Sequence, residues 1–328
     1  IRAWRGHFAA FGTYDPRPGP CSRKDATSPL RPAPAVVRFA DAELRVAIAV
    51  HPALDTRYYD QTLTQPRAMT WRDAGELLVA DQWLRRYGPD GALRRRMPTT
   101  SGGGPSAWST VQLDEPIGGG APDEAFGGFT ESFASGRTTP RRGVGRFRIV
   151  ERRQRAGGEI ELVEVLEPVW SEVLDGTTVT YWDGRTLREG EHAIAFDRGP
   201  GSPEIVGLIH DFEQDGVTER LRRWQAEDGT FRASRDVVVA AGGLRPSTVD
   251  VAVDAADTAY VLDAYARRIR VWDRGGRPLP DVPVARDARA LAVSPSGQPY
   301  VLRESGLAER VAPDGRVLGR LDGRPSAT

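Results

Sequence analysis

An all-β fold of radially stacked four-stranded sheets is what this 328-residue sequence predicts. Three observations carry the prediction. The stretch from Val249 to Leu279 returns about 40 residues later, from Arg289 to Leu318, as a diverged copy of itself. Each copy holds a short apolar strand, a polar turn, a second strand carrying Tyr-Val-Leu, a loop, a third strand and a Gly-containing turn. An apolar or aromatic residue closing the third strand recurs at Trp182, Trp224, Trp272 and Val311, about 40 to 48 residues apart. Sustained 3.6-residue periodicity, which would signal helices, is nearly absent. A lone sheet of this kind cannot bury both faces, and stacking copies around an axis solves that problem, so the pattern predicts a β-propeller.

The elements follow in order. Residues 1–35 mix aromatics with a Pro-rich run from Gly12 to Ala35, which excludes helix and central strand, and read as an extended arm. Residues 36–328 read as a single propeller domain, with Leu44 to Val50 as a buried strand. Residues 67–97 are a third copy, in which Asp81 falls on Asp263 and Tyr87 on Trp272. Residues 101–143 carry three Gly-rich clusters and read as an insertion that breaks the period. The period resumes through the strands around 146–166 and the stretch Thr177 to Leu187, followed by a further copy from His192 to Phe231. Six blades fit this spacing better than seven.

Composition bounds the function. Apolar residues are 39% and charged residues 27% of the chain, enough for an ordinary core. No apolar run approaches the roughly 20 residues of a membrane span, so membrane insertion is not expected. Forty-five basic residues balance 45 acidic ones, which argues against dedicated nucleic-acid binding. Lys24 is the only lysine and asparagine is absent, the bias of a high-GC bacterial genome or its phage. Cys21 stands alone, so no internal disulfide or cysteine metal cluster can form. A soluble protein, extracellular or particle-associated, is the expectation.

The copy at 249–279 resembles the NHL repeat. The matching residues are Val251 to Asp254, Tyr260 to Asp263, Arg268 to Trp272, and the glycines 275 and 276. The other two copies depart from the pattern, with Arg72 and Ser294 at the first Asp position and Arg303 at the second. The resemblance implies a propeller of the NHL kind and carries over no active site. By their own chemistry Asp81, Asp254 and Asp263 read as turn braces, since a strand-end Asp accepts N–H bonds from the turn that follows. Trp182, Trp224 and Trp272 read as packing between blades, the alternative being a stacking platform for a sugar or base.

Candidate chemistry is sparse. The histidines are His7, His51, His192 and His210, too few at inner-strand positions for the ligand set of a metal-dependent propeller lyase, so neither metal nor cofactor is predicted. Repeat register places Arg67, His192 and Arg289 at matching inner-strand starts, a cationic rim that would take a carboxylate or phosphate of a small ligand or a partner loop. His210 and Asp211 are adjacent, but neighbours on a strand point to opposite faces, which argues against a working dyad. Nucleophile-elbow, HExxH, P-loop and calcium-loop patterns are absent.

Two function classes remain. The first is a non-enzymatic scaffold or binding module, a subunit of a large bacterial or phage-like assembly whose partners are other protein subunits. Ordering segments such as 12–35 and 101–143 costs conformational entropy, and neighbouring subunits would offset it. The alternative is a secreted lyase or hydrolase acting on a glycan or small molecule at the tunnel mouth.

Overall fold

The computed structural model describes the strands named below between residues 2 and 173, and all residues from 174 to 322 except 175, 181–185, 232–235 and 305–306. No helix occurs among the described residues. The strands form six antiparallel sheets, each a meander of sequence neighbours. Sheet one holds β1 (Arg2–Trp4), β2 (His7–Phe11), β3 (Val36–Ala40) and β4 (Arg45–Ala49). Sheet two holds β5 (Ala68–Trp71), β6 (Leu77–Ala80), β7 (Trp83–Tyr87) and β8 (Leu93–Pro98). Sheet three runs through β9 (Thr100–Ser101), β10 (Ser109–Ile117), β11 (Glu124–Phe133), β12 (Arg141–Ala156) and β13 (Glu159–Val173).

Sheet four runs through β14 (Thr177–Thr180), β15 (Thr186–Asp197), β16 (Glu204–Glu213), β17 (Gly216–Gln225) and β18 (Val237–Gly243). Sheet five holds β19 (Thr248–Val253), β20 (Ala259–Asp263), β21 (Arg268–Trp272) and β22 (Pro278–Pro283). Sheet six holds β23 (Ala288–Val293), β24 (Pro299–Arg303), β25 (Leu307–Val311) and β26 (Val317–Asp322). One early strand of each sheet meets its counterpart in the next: β1 packs on β5, β5 on β10, β10 on β15, β15 on β19, β19 on β23, and β23 on β1. That cyclic order of antiparallel meanders is the plan of a β-propeller.

The core lies between sheets. Phe129 and Phe147 of sheet three pack with Leu78 of sheet two. Ile117 and Val144 meet Phe196, Ile205 and Trp224 of sheet four. Val206 and Leu221 meet Val251, Val261 and Trp272 of sheet five. Leu262 and Ile269 meet Leu291, Val301 and Val311 of sheet six. A middle strand is therefore covered on both faces and reads as a continuous apolar run, as in the fully buried β20, whereas the outer β22 is mostly exposed. The third-strand residues Tyr87, Trp224, Trp272 and Val311 are all buried in this way.

Three sequence expectations change here. Arg2–Trp4 and His7–Phe11 form strands where an extended arm was expected, because the proline-rich run begins only after them; residues 12–35 lie outside the described residues. The glycine-rich stretch 101–143 supplies β10, β11 and the start of β12 rather than an insertion. Its glycines make room for aromatic rings: Phe129 pairs with Gly143, where a Cβ would sit 2.6 Å from the ring. Residues 177–187 open sheet four through β14 and β15 instead of ending a third strand, and Trp182 lies outside the described residues.

Candidate functional site

Sheet five ends in a straight row. Thr248 pairs with Asp263, Asp263 with Arg268, and Arg268 with Pro283. Beyond that row three loops leave the same edge: 244–247 leading into β19, 264–267 joining β20 to β21, and 284–287 leading into β23. Backbone bonds lace them together, Ala264 N donating to Ser247 O at 3.1 Å and Val284 N to Arg267 O at 2.9 Å.

Each loop is also tied to the sheets by an acid. Under the first, buried Glu219 accepts from the Ser247 amide (2.9 Å) and hydroxyl (3.0 Å), from the Thr248 amide (2.8 Å) and from the Thr248 hydroxyl. Buried His210 lies across the strand pair from it, with Nε2 2.9 Å from Thr248 Oγ1 and 3.4 Å from Glu219 Oε2. Burial pushes the Glu219 carboxyl up, but hydrogen bonds from His210, Thr248 and Ser247 outweigh it and hold the group at about 2. Under the second loop, Asp263 is fully buried and accepts from the Ala266 amide at 2.8 Å and from Arg270 Nε at 2.8 Å. In the third, the loop's own Asp287 accepts from Arg303 Nε at 2.7 Å, while Glu304 N donates to its carbonyl at 2.8 Å.

This scaffold presents side chains to solvent. Tyr265 is 88% and Leu244 87% exposed, and Val249 is exposed beside them. Arg245, Arg267 and Arg286 are exposed at the same edge. Arg267 holds φ at +57°, a left-handed conformation that disfavours side chains.

The sequence-predicted residues fall as follows. Asp254 accepts N–H bonds from Ala256 (2.8 Å) and Thr258 (2.9 Å) and the Tyr260 hydroxyl (3.1 Å). Asp263 takes the place just described, and Asp81 lies outside the described residues, as does Arg67. Arg289 pairs with Glu304 at 2.9 Å on the surface of sheet six. His192 sits in sheet four, its Nε2 3.2 Å from Glu189 O and its ring edge-on to Phe212 at 5.3 Å. Each of these two finds partners within its own sheet.

The Thr248 hydroxyl donates to Glu219, and His210 Nε2 lies against the same hydroxyl oxygen. Sequence reasoning weighed His210 only against Asp211, and argued against that dyad; it missed Glu219, which the two-residue turn Gln214–Asp215 sets opposite His210 by placing Glu213 opposite Gly216. Read as the two central turn residues, Asp215-Gly216 would instead set His210 opposite Leu221, so the observed register was not legible in the local turn signal. A second feature, a cleft of about 230 Å³ beside sheet six, contains Arg303, Glu309 and Arg320. Glu309 accepts from both arginines, at 3.2 and 3.0 Å, so its charges are spent internally. No cluster of metal-ligating side chains occurs among the described residues.

Neither a protein-family model nor a curated relative matches this chain. Solved structures similar to it include the nidogen/laminin complex, at 10% identity over 87% of this chain and 89% of the other, with a TM-score of 0.47. The luciferin-regenerating enzyme is similar at 12% identity over 79% and 76%, TM-score 0.45. Virginiamycin B lyase from Staphylococcus aureus is similar at 12% identity over 79% and 70%, TM-score 0.38.

Proposed function

We propose that this chain is a non-enzymatic, protein-binding β-propeller, one domain of six blades, serving as a scaffold or accessory subunit of a larger bacterial or phage-like assembly. One observation carries the reading. Large apolar side chains, Leu244 and Tyr265, stand almost fully exposed on loops anchored by Glu219, Asp263 and Asp287. A rigid loop that keeps apolar surface in water avoids the ordering cost of docking, which is how interaction surfaces gain affinity. The chemical groups nearby, His210 and Glu219, support that loop from within the core.

Sizing of gently cross-linked native extract tests the reading. The chain is expected in particles several times the mass of one copy; recovery as free monomer throughout overturns it. Turnover of a lactone, ester or polysaccharide that disappears in His192→Ala or His210→Ala protein with intact fold would instead establish the lyase or hydrolase alternative.

A further inference from the structure

We propose that the end of sheet five docks an acidic protein segment that also carries aromatic or aliphatic side chains. The proposal rests on the protein-binding reading above and names its surface and partner chemistry. Charge supplies the argument. The acids at this edge are already committed: Glu219 to Ser247, Thr248 and His210; Asp263 to Arg270; Asp281 to Arg268; Asp287 to Arg303; Glu304 to Arg289. Arg245, Arg267 and Arg286 are not so matched. Among the described residues none makes an ion pair or side-chain hydrogen bond with them, and all three are exposed.

Three arginines left over on three loops that are laced together form a patch of net positive charge around Leu244, Val249 and Tyr265. Guanidinium groups bind carboxylates bidentately, and an exposed tyrosine and leucine bury best against apolar side chains. The patch is bounded. The turn of sheet four next to it carries exposed Glu213 and Asp215, so charge changes sign between the two sheets and sets the direction in which an acidic segment can lie. The balanced charge of the whole chain and this acidic border favour a protein over nucleic acid.

Fluorescence polarisation of the complete chain tests the proposal with three labelled probes: a random Glu–Tyr copolymer, a Lys–Tyr copolymer and a uridine oligonucleotide. The Glu–Tyr probe should bind at least tenfold more tightly than either of the others. Arg245→Glu/Arg267→Glu/Arg286→Glu should lose at least tenfold of that affinity, Leu244→Ala/Tyr265→Ala about fivefold, and Glu213→Gln/Asp215→Asn should gain about twofold. All of these positions are exposed, and circular dichroism checks that each variant keeps its sheets. Unchanged affinity in the triple variant, or preference for the oligonucleotide, overturns the proposal. The sizing experiment separates the two readings: a charge-reversed chain still found in particles overturns this surface and leaves the scaffold role standing, whereas a monomeric wild type overturns the scaffold role itself.

Discussion

Sheets five and six descend from one repeat, yet they solve the same two structural problems with different residues. In sheet five, Asp254 receives the Thr258 amide at 2.9 Å; in sheet six Ser294 stands at that position and its hydroxyl receives the equivalent Gln298 amide at 3.0 Å. In sheet five, buried Asp263 pairs with Arg270; in sheet six the pair is reversed, with Arg303 on buried Glu309 at 3.2 Å. The comparison shows what these positions require. One needs an acceptor for a turn amide, and the other a matched pair of opposite charges, in either order, on the second and third strands of one sheet. The reversal has a consequence at the loops: Asp263 also holds the Ala266 amide, which an arginine cannot accept, and Arg303 turns instead to Asp287.

The strongest way to break this comparison is Asp263→Ala. It leaves the partly buried Arg270 without its carboxylate and frees the Ala266 amide, and should cost about 3 kcal/mol in urea unfolding. Reversing the pair, Asp263→Arg with Arg270→Glu, should recover part of that loss but not all, because the turn amide stays unanswered. Full recovery would show that the pair alone matters. Next in size is the Glu219 anchor. Its carboxyl is held below the ordinary 4.5, at about 2, so the folded state binds fewer protons than the unfolded one across that interval. The stabilisation is complete above about pH 4.5 and is lost as pH falls toward 2, on the order of 2–3 kcal/mol. Glu219→Gln should flatten this part of the acid unfolding curve; an unchanged slope would refute the assignment.

Asp254→Ser transplants the brace of sheet six into sheet five. The serine can keep the Thr258 amide but loses Ala256 and the Tyr260 hydroxyl, and about 1–2 kcal/mol should follow. Burial and the neighbouring Asp254 push the Tyr260 hydroxyl well up from its usual range, so in this variant ultraviolet titration should find it ionising at lower pH. The smallest effect belongs to Arg289→Ala. Its pair with Glu304 is exposed on both sides, and removal should change stability by less than about 0.5 kcal/mol in the same urea assay. A larger loss would mean that this arginine does more than its surface pair accounts for.

The repeat made most of the second half readable. The first three strands of sheets five and six, the buried third-strand residues Trp224, Trp272 and Val311 and the turn positions at Asp254 and Asp263 follow from period and alternation. The first half was harder for a physical reason. Glycine signals a loop when read locally, yet Gly143 and Gly145 lie inside a strand because Phe129 and Phe147 need the space above them. A ring packed across a strand pair is invisible along one dimension.

The all-β repeat of sheets and the residue types at strand ends can be read along the chain, because these depend on neighbours a few positions apart. How charges are shared is set by the folded arrangement. Ion pairs such as Arg303 with Asp287 join a strand end to a separate loop, and the matching of the acids along the end of sheet five leaves Arg245, Arg267 and Arg286 over. Which charge is spent and which is free depends on distances through space, and the linear chain does not hold them.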